Sequence, residues 1–141
     1  MKPFKVVDMQ IARNPVARAI ANKNLADSVR SFQTRLYLLD DGEHCESDAT
    51  AAMQVFAVLI EAAAMSGKAE EPDFRVIRGA MSCLVQIAQR GFKWRSSDAG
   101  AIDTALDRAV AQYKTLPAVT INKAWARVME MNRRIHLEVA A

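Results

Sequence analysis

The sequence predicts an all-α protein: a single-domain bundle of about five helices with a short extended amino-terminal arm. Three observations carry this. The chain has 141 residues, the usual size of one domain and enough to bury roughly two thirds of its unfolded surface. Apolar residues recur at steps of three and four along most of its length, the period of a buried helix face. After residue 14 there is no strand–turn–strand pattern, no internal repeat and no linker, and five amphipathic segments joined by short connections form a bundle.

The elements follow in order. Residues 1–13 form the arm or a short strand, because Val7, Met9 and Ile11 alternate with Asp8 and Gln10. Residues 14–141 form the bundle domain. Asn14 before Pro15 starts the first helix, since Asn caps free backbone donors and Pro suits the first turn. Leu25, Val29, Phe32 and Leu36 are its inner stripe, and Asn22-Lys23-Asn24 is a place where it can bend. The second helix begins near Ser47-Asp48 and runs to Ser66-Gly67. Its body is apolar on nearly every side, with Thr50, Gln54 and Glu61 as a thin polar stripe, which places it in the middle of the bundle. Pro72 starts the third helix, lined by Phe74, Ile77, Met81, Leu84 and Ala88, and Gly91 ends it in a left-handed conformation. The fourth follows Ser96-Ser97 with Ile102, Leu106, Ala109, Val110 and Tyr113 inward, and stops before Pro117. Thr120 is the expected cap of the fifth, whose stripe is Ile121, Ala124, Trp125, Val128, Met129 and Ile135.

Composition narrows the functional classes. With 51% hydrophobic and 25% charged residues the chain is globular rather than disordered. Two cysteines, Cys45 and Cys83, imply no disulfide scaffold and read as reduced thiols. The start "MKPFKVVDMQ" is not a secretory leader, and the longest uncharged run, residues 49–60, is too short to cross a bilayer, which takes about 20 residues. A cytoplasmic protein is expected. The net charge of +3 is unevenly spread. Residues 1–39 carry seven Lys/Arg and two acids, residues 40–73 one Lys and nine acids, and residues 74–141 eleven Lys/Arg and five acids. Such blocks make a dipolar surface, or a basic face that attracts an acidic partner.

No catalytic signature is present: there is no nucleophile elbow, no zinc-protease helix motif and no phosphate loop. Glu61 interrupts an apolar helix, and a buried carboxylate there is a candidate acid–base group. Exposure on the polar stripe, or pairing with an Arg of a neighbouring helix, is the competing account. His136 lies late in the last helix, where it suits the helix dipole. The acidic loop "DDGEHCESD", residues 40–48, fails the calcium-loop template, since Tyr37 and Leu39 fall where acids are needed. His44 and Cys45 are adjacent and far from Cys83 and His136, so zinc spacing fails too. No enzyme activity, metal or cofactor is expected.

Binding is the better prospect, at two places. In "GFKWRSSDAG", Lys93, Trp94 and Arg95 precede a helix start, so Trp94 can stack on a base while the cations hold phosphates. Equally, Phe92 and Trp94 can fold back and close the corner between two helices; Phe92 is expected to do so, and Trp94 is open. On the fifth helix Lys123, Arg127 and Arg134 recur on one face, with Glu130 between them and Arg133 beside them. That face can follow phosphates, although Glu130–Arg134 is a favourable pair by itself.

The start "MKPF" and the tail "AIDTALDRAVAQYKTLPAVTINKAWARVMEM" resemble a group of small helical proteins, functionally uncharacterised, carried by phages and prophages of proteobacteria. The resemblance covers about a third of the chain and consists of helical patterning. It implies an accessory protein of a mobile element that binds and occludes a host protein, such as a component of a defence system. The expectation is therefore a non-enzymatic helical binding protein acting on a host protein through Lys93, Trp94, Arg95, Lys123, Arg127 and Arg134. The rival is a nucleic-acid-binding regulator using the same cations. No membrane contact is expected, and a homodimer is compatible with the arm and the apolar second helix.

Overall fold

The computed structural model describes residues 7–11 and 14–140, with side chains as far as Arg134. The "MKPF" start and the side chains of Ile135 and His136 lie outside the described residues. Five helices make one all-α domain: α1 (Pro15–Leu36), α2 (Glu46–Met65), α3 (Pro72–Gln89), α4 (Ala99–Thr115) and α5 (Ala118–Ala140), with a single 3₁₀ turn, Ser96–Asp98, leading into α4.

Local chemistry sets most of these bounds. Asn14 Oδ1 accepts the Ala17 N–H at 2.7 Å, so one of the four free amino-terminal donors of α1 is satisfied. The helix then runs through Asn22-Lys23-Asn24 without interruption. Pro72 opens α3, and Gly91, at φ 73°, turns the chain out of it. Phe92 follows with φ 61°, an uncommon conformation for a side-chain-bearing residue. Its N–H reaches back to the Ile87 carbonyl, closing the end of α3.

The start of α5 and that of the turn before α4 are each set by residues outside them. Thr120 is not the cap of α5. The helix begins two residues earlier, with the Pro117 carbonyl accepting from the Thr120 and Ile121 N–H groups at 3.1 Å each. Pro117 holds Leu116 extended (ψ 143°), so the chain turns helical immediately after it. Nor do Ser96 and Ser97 cap the segment before α4 with their side chains. Asp41, 55 positions earlier, accepts the Ser96 N–H at 2.6 Å.

α2 is apolar on nearly all sides because it packs on α3, α4 and α5 together. Val58, Leu59, Phe56 and Ala62 are fully enclosed, and each large side chain contributes about 1.5–3 kcal/mol by leaving water. By length and composition α2 would be able to cross a membrane, yet half of its most apolar stretch is buried inside the bundle. α3 packs on α4, and α1 lies across α4. Arg18 on α1 fixes the corner between α4 and α5, donating to the carbonyls of Tyr113 and Leu116.

The segment 7–11 is extended and lies on the bundle without forming a strand. Met9 and Ile11 are buried and Val7 is half-buried, while Asp8 and Gln10 face outward. Gln54 corrects the sequence reading of α2: instead of standing on an exposed polar stripe it is buried. Its carboxamide accepts the Val7 N–H at 3.2 Å and donates to the Val7 carbonyl at 2.6 Å.

Candidate functional site

The two loops singled out by charge, the acidic one at 40–48 and the basic one at 92–95, are one structural unit. Gly42 donates to the Trp94 carbonyl at 2.8 Å, Trp94 donates to the Glu43 carbonyl at 2.8 Å, and Cys45 donates to the Phe92 carbonyl at 2.9 Å. His44 and Lys93 thus form an antiparallel bridge, and the Cys45 thiol adds a contact to the Phe92 carbonyl. Peptide groups with no helical partner are satisfied in this way. Asp41 completes the join at Ser96, and the hydrogen bond from the Ser96 N–H holds its carboxyl below the usual carboxylate range.

Trp94 is where the structure overturns a contact residue. Its side chain is 1% exposed and joins the main core. A ring so enclosed cannot stack on a base, so the loop is a corner. Phe92 packs against the core as expected, and its ring meets the His44 imidazole edge-on. Lys93 is exposed. Arg95 is exposed but leans on Asp98, which also takes an ion pair from Arg90. Among the described residues, no three of His, Cys, Asp and Glu converge as a metal site would require.

Glu61 takes the pairing alternative. Its carboxylate meets the Arg127 guanidinium at 2.8 Å across the α2–α5 contact, with 27% of the side chain exposed. Because Arg127 is itself 64% exposed, water screens the pair and it is worth little. Glu61→Gln should therefore change the unfolding free energy by less than about 1 kcal/mol, measured by urea unfolding.

The charge blocks neutralise one another along the same lines. Arg35 pairs with Asp48, Arg75 and Arg78 with Glu70, Arg108 with Asp73 and Arg127 with Glu61. Each of these joins a cation of a basic block to an acid of the middle block.

The outer face of α5 gathers exposed cations and exposed apolar side chains together. Val119, Lys123, Arg127, Met131 and Arg134 are all exposed and fall within about a third of the helix circumference at 100° per residue. Val119 and Met131 are 55% and 57% exposed, and Val16, Ile20, Tyr37 and Leu38 are comparably open elsewhere on the surface. Glu130 lies in the same sector and is bonded to Arg133 and Arg134 at 3.0 and 3.3 Å, which keeps its carboxyl below its ordinary value. The opposite side of α5, with Ile121, Ala124 and Val128, is buried. Sequence reasoning found the cations of this face and missed its apolar members. Helical phase alone would have put Val119 and Met131 beside Lys123 and Arg127.

Comparison with protein-family models, with curated proteins and with solved structures returned no match.

Proposed function

We propose that this chain is a non-enzymatic cytoplasmic binding protein that covers a protein partner through the outer face of α5. The observation that carries the reading is the interleaving on that face of two exposed apolar side chains, Val119 and Met131, with Lys123, Arg127 and Arg134. Apolar side chains standing in water beside cations suit a surface that contributes both burial and steering to an encounter. The partner is a protein surface with an apolar patch bordered by carboxylates, and the action is steric occlusion. The resemblance to phage accessory proteins supports a host protein in that role.

Three observations weigh against chemistry and against nucleic acid. Glu61 is engaged by Arg127, and Trp94 is enclosed. Three of the four α5 cations already have carboxylate partners, Arg127 on Glu61 and Arg133 and Arg134 on Glu130. A phosphate-tracking face has no use for Val119 or Met131, and Glu130 would repel the backbone. Retention on immobilised DNA and RNA at low salt tests the alternative. The expected result is no retention for the wild-type protein. Retention abolished by changing Lys123, Arg127 and Arg134 to Glu would establish the nucleic-acid reading instead.

A further inference from the structure

The segment 7–11 is bound to the bundle in the manner of a peptide ligand. Two carboxamides from different helices each take both backbone groups of one residue. Gln54 on α2 does so at Val7. Asn122 on α5 accepts the Ile11 N–H and donates to the Ile11 carbonyl, both at 2.8 Å. Midway between them the Tyr113 hydroxyl donates to the Met9 carbonyl at 2.9 Å. Residues 7, 9 and 11 are thus held through their peptide groups, which any sequence possesses, and read through side chains that point inward at every second position. Asp8 and Gln10 point away. The first position is underfilled: Val7 borders an apolar pocket of about 30 Å³ walled by Leu25, Val29, Phe32, Val55 and Leu106.

We propose that this groove, formed by α2, α4 and α5, is a docking site for an extended segment of a partner protein with apolar side chains at alternate positions, and that residues 7–11 are its built-in, displaceable occupant. The partner's segment has the pattern apolar–x–apolar–x–apolar, with Leu or Met rather than Val at the first position. One further methylene placed in the pocket strengthens binding about four-fold. Tethering gives the chain's own arm an effective concentration in the millimolar range. A partner must therefore outbid it, and the better-filled pocket is the means. The groove is separate from the outer face of α5, since Asn122 lies on a different flank of that helix from Lys123 and Met131.

The test uses the full chain carrying Met9→Asp, which drives the arm out by burying a carboxylate at its centre. A fluorescein-labelled peptide of residues 5–13 with the substitution Val7→Leu is titrated in and followed by anisotropy, with helicity confirming the fold. The expected result is saturable binding, weaker to the wild-type chain because its arm competes. Binding should fall at least ten-fold when Gln54→Ala and Asn122→Ala are added. A folded Met9→Asp chain that takes up no peptide at millimolar concentration overturns the proposal, as does binding indifferent to the two carboxamides. Should Met9→Asp fail to fold, hydrogen exchange of the wild-type protein decides. Val7 and Ile11 amides exchanging at least 100-fold faster than those of α2 support a detachable arm, and exchange at the α2 rate refutes it.

Discussion

Replacing Trp94 with alanine should lower the unfolding free energy by about 3–5 kcal/mol, the usual loss when a large aromatic leaves a closed core. Trp94 is fully enclosed, and its peptide group is paired on both sides with the 42–45 loop. The cavity would open where the end of α3, the acidic loop and the start of α4 meet, so relaxation from one side alone cannot fill it. Trp94→Phe should cost much less, because the ring is largely replaced. Phenylalanine also gives up no hydrogen bond, since Nε1 has no protein partner among the described residues. Urea unfolding followed by circular dichroism measures both. Equal and small losses for the two variants would mean that Trp94 is not a core residue.

That same position shows what the sequence could and could not reveal. Helix bounds were legible because their signals are local: Asn14-Pro15, Pro72 and Gly91 act through the geometry of one turn. The inward side of the arm was legible from the alternation of Val7, Met9 and Ile11. The role of Trp94 was not, since a single aromatic between two cations belongs to no period that assigns it a side. Its burial depends on residues 42–45, some 50 positions away, and neither loop carries a mark of the other. Each looked like a ligand site because it concentrates charge. Their peptide groups, which have no sequence signature, are what join them. Gln54 and Asn122 were hidden for the same reason. As isolated polar residues on helices they read as surface or core-edge positions, and only the path of the arm gives them a purpose. The pairing of the charge blocks was hidden for a related reason, since Asp48, Asp73 and Glu61 lie on other helices than the Arg35, Arg108 and Arg127 they answer.

Tyr113 should make the fold alkali-sensitive. Its phenol is buried against the arm, and burial pushes its pKa up to about 12, partly opposed by the Arg18 guanidinium and reinforced by Asp8. A raised folded-state pKa means that the neutral phenol is favoured in the native state. The corresponding stability is fully present below the unfolded value near 10 and is lost as pH rises from about 10 through about 12. A shift of that size corresponds to about 3 kcal/mol. Denaturation midpoints measured from pH 9 to 12 should fall by that order, and Tyr113→Phe should remove this part of the slope while costing about 1 kcal/mol at neutral pH for the lost bond to Met9. Tyr37 is the only other tyrosine. Its bond to the Asp103 carboxylate raises its pKa too, and a Tyr37→Phe chain isolates Tyr113, whose tyrosinate absorbance should be small at pH 10 while the protein is folded. A phenol half ionised at that pH in the folded Tyr37→Phe chain, as a free tyrosine would be, would refute the burial of Tyr113.

The outer face of α5 is the central claim, and partner capture by a matched set of variants tests it most directly. Tagged wild-type protein, Val119→Asp with Met131→Asp, and Lys123→Glu are compared for the same captured protein in extracts of the native host, at low and high salt. The account predicts that the apolar pair and the cation are each required. The apolar variants should fail at both salt concentrations, and the wild-type interaction should weaken as salt rises without disappearing. A partner that binds the Val119→Asp, Met131→Asp protein as well as it binds the wild type would contradict the account.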